Sequence, residues 1–220
     1  MSKEIERRFF PAEVRVAGDP TTGQQRIVGY SALFDSESED LGGFTERLAP
    51  SCFTQALKKI DCRYLFNHDP NHVLGRTTSG TLTLEQDATG LRVENTPPDT
   101  QWARDLLVSM SRGDISGQSF GFRVAPNGDQ WDTRDGRTVR TITDIAELVD
   151  CSVVTYPAYR QTDASVALRS LGEWQRSHED PPLERRKDER RKDEPEVPDP
   201  TLVLERQRLL LAEVEQDGAS

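Results

Sequence analysis

The segment NHDPNH, residues 67 to 72, holds two of the chain's three histidines, His68 and His72, spaced four apart around Asp69. On a helix that spacing would present paired metal ligands, but Pro70 lacks an amide hydrogen and breaks a helix interior, so the segment reads as a loop. No third ligand follows at a metal-type interval, and His178 lies far along the chain. An imidazole in a loop can instead act as a general base. ISGQSFGF, residues 115 to 122, offers it a hydroxyl in Ser119. Strand alternation puts Phe120, Phe122 and Val124 on one face and Ser119 on the other with Gly117 and Gly121, an uncrowded surface that another chain could approach closely. ELVDCSVV, residues 147 to 154, adds an acid. Alternation there groups Asp150 with Leu148, Ser152 and Val154 in an apolar strand, where a carboxylate needs a partner.

His68 as base, Ser119 as nucleophile and Asp150 as the acid that orients the imidazole would make a serine hydrolase. Each residue also has a plainer reading: a surface loop histidine, a polar residue on a solvated strand face, an aspartate in a structural salt bridge. Glu147, three residues before Asp150, competes for the acidic role. A metal-dependent hydrolase built on His68, Asp69 and His72 is a further reading, and resistance to chelators separates it from the serine enzyme.

These residues need a scaffold, and the chain predicts mostly strands. FFPAEVRV and RIVGYSALF read as two strands joined through GDPTTG, and TLTLEQDATGLRVEN as a hairpin turning at Asp87 to Gly90. Ser51 is a plausible N-cap for a short helix through PSCFTQALKK. Thr100 can cap a longer one to about Arg112, with Trp102, Leu106 and Met110 recurring every four residues and Gly113 as its stop. A second hairpin is expected near Arg134 to Gly136, followed by one long strand-like run, TVRTITDIAELVDCSVVTY. The expectation is a single α+β domain over residues 1 to 170. Beyond it the composition changes: RRKDE occurs twice in succession within a charged linker, residues 171 to 198, and TLVLERQRLLLAEVEQ predicts an amphipathic helix within 199 to 220.

Composition narrows the function classes. A formal net charge of −10 opposes a sequence-independent grip on nucleic acid, which needs clustered Lys and Arg. Cys52, Cys62 and Cys151 form neither a disulfide framework nor a zinc pattern, which fits a reducing cytoplasm. MSKEIERRFF is charged where a secretion signal would be apolar, and no run of about 20 apolar residues predicts a membrane span.

Taken in order, RIVGYSALF, LGGFTERLAPSCF, LFNHDPNHVLGR, SGTLTLEQDATGLRVENTPPDT, ISGQSFGFRV and LVDCSVVTYPAY resemble the prohead, or capsid maturation, protease family of lambdoid-type tailed phages, over roughly residues 7 to 168. The resemblance implies a small, mainly antiparallel β-barrel with surrounding helices, like the herpesvirus assembly proteases. It also implies a His, Ser and acidic constellation at His68, Ser119 and Asp150, with no cofactor. Implied substrates are the scaffolding segment of the major capsid protein, or a separate scaffold, and the protease itself, cleaved inside the assembling prohead in the host cytoplasm. A non-enzymatic assembly module with a protease-like fold is the alternative. The tail lies outside the resemblance; its apolar helix face predicts packing against a partner or a second copy.

Overall fold

The computed structural model describes residues 4–9, 14–18, 24–156 and 165–178. The charged segment after residue 178 and the expected terminal helix lie outside the described residues. Strands come first: β1 (Glu6–Phe9), β2 (Val14–Gly18), β3 (Gln25–Leu33) and β4 (Phe44–Leu48). After the short helix α1 (Thr54–Lys58) come β5 (Arg63–Phe66), β6 (Asp69–Arg76), β7 (Leu82–Gln86) and β8 (Gly90–Asn95). Helix α2 (Gln101–Ser111) leads into β9 (Gly117–Val124), β10 (Asp129–Arg134), β11 (Arg137–Ile142) and β12 (Ile145–Val154), and α3 (Ser165–His178) follows.

The described strands do not close into the expected barrel. They form three sheets, ordered β1-β9-β12-β5-β6, β10-β11-β4 and β2-β3-β8-β7, so the fold is mixed α+β with few helices. Pairing is antiparallel except for β12 with β5 and β11 with β4. One cause of the division lies at Thr143 and Asp144, where the single run expected from the sequence breaks into β11 and β12. Both their amides donate to the Gly128 carbonyl, and Ala125 N–H donates to Asp144 O, so a loop takes the bonds that a continuous ladder would use. Gly128 permits this contact, since a Cβ there would stand 2.4 Å from Asp144 O.

Both predicted hairpins form, β7 with β8 and β10 with β11. At the first, the Asp87 carboxylate accepts from Thr89 and Gly90 N–H; at the second, Asp135 and Gly136 both have positive φ, as a two-residue turn of this hand requires. Helix α2 starts after Thr100 and stops before Gly113 (φ 83°), burying Ala103, Leu106, Leu107 and Met110. Thr100 provides the extended cap backbone, and its carbonyl accepts from Arg104 N–H, but its side chain makes no cap bond. Ser51 is not the cap of α1. It has φ 74° in the preceding turn, and Phe53 holds the cap position.

Core side chains from all three sheets meet in one cluster that includes Ile27, Phe53, Tyr64, Leu91, Phe120 and Ile142. A smaller cluster joins α3 to the three-stranded sheet: Ala167 and Leu171 pack with Phe44, and Trp174 stacks on Trp131 at 6.3 Å. Helix α3 therefore continues through residue 171, where the composition changes, to His178. A buried charge cluster ties down β1. Arg8 pairs with Glu6 (2.7 Å) and Glu46 (2.9 Å), while Arg140 pairs with Glu6 (2.7 Å), Glu46 (2.9 Å) and Asp129 (2.8 Å). Burial works to lower the Arg140 pKa, but the carboxylates of Glu46, Glu6 and Asp129 outweigh it and hold it above its ordinary value. Removing one partner from such a cluster typically costs about 3–5 kcal/mol, because a buried charge is left unmatched.

Candidate active site

His68 sits in a two-residue turn. β5 and β6 pair as far as Phe66 opposite Asp69, leaving Asn67 (φ 52°) and His68 (φ 57°) as the turn residues, both left-handed. Asn tolerates this conformation; His adopts it at some cost, so contacts elsewhere must hold the turn. Asn67 N–H donates to Val153 O (2.9 Å), Thr155 N–H to Asn67 Oδ1 (2.9 Å), and Asn67 Nδ2 to Thr155 Oγ1 (3.2 Å). The turn is thereby fastened to the end of β12. The expected loop is in fact this turn followed by β6, an edge strand, where Pro70 is tolerated.

Ser119 lies on β9, between β1 and β12, with Phe9 opposite on one side and Ser152 on the other. Part of the glycine-flanked surface expected to receive another chain is filled from within. A Cβ on Gly121 would come 2.7 Å from Asp150 Oδ2, so the missing side chain makes room for that carboxylate.

Asp150 reaches the same face through a bulge in β12. Leu148 pairs with Phe122 and Asp150 with Gly121, so the register shifts by one residue at Val149. Plain alternation would put Leu148 and Asp150 together; the bulge sends Leu148 to the core and turns Asp150 toward Ser119. Bulges are common beside functional sites for this reason.

The three side chains meet. His68 Nδ1 lies 2.5 Å from Asp150 Oδ1, and His68 Nε2 lies 2.8 Å from Ser119 Oγ. Ser119 is 7% exposed, and the His68 side chain 16%. Ser152 Oγ, which sequence reasoning placed beside Asp150 without giving it a role, stands 3.0 Å from Asp150 Oδ1 and 3.1 Å from His68 Nδ1. Its polarity in an otherwise apolar strand was the available signal.

The competing residues face other ways. Glu147 is 56% exposed and pairs with Arg123. His72 pairs with Asp69 at 2.8 Å and lies edge-on to Trp102 at 5.1 Å. The Asn71 N–H, followed by the His72 ring, holds Asp69 below the usual carboxylate range. Both nitrogens of His68 are engaged with Asp150 and Ser119, so His68 and His72 do not converge on one point. Among the described residues, no group of three or more His, Cys, Asp or Glu side chains is arranged to hold a metal ion. The three cysteines are buried and form no disulfide: burial pushes Cys52 up to about 12, and a thiol hydrogen bond with Cys151, followed by burial, raises Cys62. Those two thiols stay protonated near neutrality and are poor nucleophiles.

Residues 11–177 match the caudovirus prohead serine protease family. The chain belongs to that family. It is a serine protease of capsid maturation. The Prohead protease of Enterobacteria phage HK97 is 30% identical over 168 residues, which cover 74% of this chain and 68% of that protein. No solved structure matches this chain, and the expected herpesvirus likeness is not shown. No helix among its described residues is long and apolar enough to cross a membrane.

Proposed function

We propose that this prohead protease cuts peptide bonds with Ser119 as nucleophile, His68 as general base and then acid, and Asp150 as the group that orients and stabilises the imidazole. The observation that carries the reading is the unbroken chain of polar contacts from Asp150 through His68 to Ser119. His68 Nε2 takes the Ser119 proton as Oγ attacks the substrate carbonyl, then returns it to the leaving amine. The resulting acyl-enzyme is released by a water that the same imidazole deprotonates, and Asp150 keeps the imidazolium favourable at each stage.

The substrates proposed are the scaffolding segment of the major capsid protein or a separate scaffold, and the protease's own chain, cut within the assembling prohead in the host cytoplasm. Segments joined to a capsid precursor would be presented at high effective concentration there. Co-expression of Ser119→Ala or His68→Ala with the capsid precursor tests this. Both variants should remain folded and lose cleavage by about 10⁴-fold or more. Near-normal processing by either one would refute the assignment.

A further inference from the structure

Ser152 is fully buried, lies directly across the ladder from Ser119, and touches both partners of the His68–Asp150 pair. Its hydroxyl has one proton to give and two lone pairs. An ionised carboxylate can only accept, so the proton goes to Asp150 Oδ1 at 3.0 Å. A lone pair of Oγ then faces His68 Nδ1 at 3.1 Å, and the Nδ1–H is shared between Oδ1 at 2.5 Å and Oγ. The set closes only when Nδ1 carries the proton. With the other tautomer, a bare Nδ1 would face a carboxylate oxygen at 2.5 Å, and one serine proton could not satisfy both acceptors. The Nδ1–H form leaves Nε2 bare, which is the form able to accept the Ser119 proton.

We infer that Ser152 is a positioning residue: its hydroxyl fixes the Asp150 carboxylate, which in turn holds His68 in the Nδ1–H tautomer. This rests on the catalytic reading above. The fold supplies the placement, because the bulge at Val149 puts Asp150, Ser152 and Ser119 on one face, so β12 brings two of the four groups and β9 one. A purely structural hydroxyl would affect stability without affecting proton transfer.

The test uses the full chain and a fluorophosphonate probe, with the inactivation rate separated into its binding and chemical constants, and follows the His68 Nδ1–H resonance by proton NMR. Ser152→Ala should slow the chemical constant roughly tenfold, the scale of one hydrogen bond to a charged group, leave probe binding within about twofold, and shift the resonance. Ser152→Thr, which keeps the hydroxyl, should recover the chemical constant to within about threefold and return the resonance. An unchanged constant and resonance in Ser152→Ala, or an equal loss in Ser152→Thr, would overturn the inference. Absence of labelling at Ser119 in the unsubstituted protein would instead refute the catalytic reading on which it rests.

Discussion

In the proposed mechanism, an imidazolium formed at His68 during proton transfer needs a negative charge beside Nδ1, and the two nearby acids of β12 differ sharply in their ability to supply it. Asp150 is 7% exposed and contacts Nδ1 directly, whereas Glu147 faces solvent against Arg123. Asp150→Asn keeps the volume but removes the charge and invites the wrong tautomer, so turnover should fall by about 10⁴-fold. Glu147→Gln breaks only an exposed pair, worth about 0–1 kcal/mol, and should leave turnover within roughly threefold. Rates measured on folded variants decide between them; the reverse ranking would move the orienting role to Glu147. Residue type and neighbours offer His68, Ser119 and Asp150 as candidates, with Glu147 as a competing acid, the family resemblance singles them out, and Ser152 is visible as Asp150's alternation partner. The role of Gly121 was misread because sequence shows that a side chain is missing but not what fills the space. A strand glycine opens room for any group, here the Asp150 carboxylate.

At the scale of elements, the site depends on two local departures from regular geometry, neither of which period-two patterning can reveal. One is the bulge at Val149; without it Asp150 would point to the core face that Leu148 occupies. The other is the left-handed turn at Asn67 and His68, fastened to β12 through the Asn67 side chain and Thr155. The sequence read this stretch as a loop because Pro70 and two asparagines are turn signals, and an edge strand starting at Asp69 carries the same signals. Asn67→Gly keeps the left-handed conformation accessible but removes the side-chain fastening, whereas Asn67→Ala removes the fastening and adds backbone strain. With about 1 kcal/mol per lost bond and about 1 kcal/mol or more for the strained backbone, melting temperature should fall in the order unsubstituted, Asn67→Gly, Asn67→Ala. Turnover should follow the same order. Equal turnover in all three, measured below every melting point, would show that the turn does not position His68.

Among the described residues, three sheets share one core, and β1 is tied to β4 and β11 by the buried Glu6, Arg8, Glu46 and Arg140 with the half-buried Asp129, which steadies the strand beside Ser119. Strand order was not legible in the sequence, since pairings such as β1 with β9 join segments more than a hundred residues apart and leave no local pattern. Helix α3 bears on the tail. Because Leu171 and Trp174 pack against Phe44 and Trp131, a cut at residue 171 would expose apolar surface, and the helix runs on past them to His178. We propose that residues 179–220 carry the enzyme into proheads. Truncation after His178 should preserve fluorophosphonate reactivity within roughly twofold, since residues before it already bring Asp150, His68 and Ser119 together, while depleting the enzyme from purified proheads. Equal packaging of truncated and full-length chains would make the tail a solvated appendage.

The catalytic assignment itself is tested most directly by treating the full chain with a fluorophosphonate, with and without a chelator, and mapping the adduct by peptide mass spectrometry. One adduct is expected, on Ser119, formed equally with the chelator present and abolished by His68→Ala. An active enzyme that leaves Ser119 unlabelled, or whose cleavage the chelator stops, would contradict the assignment.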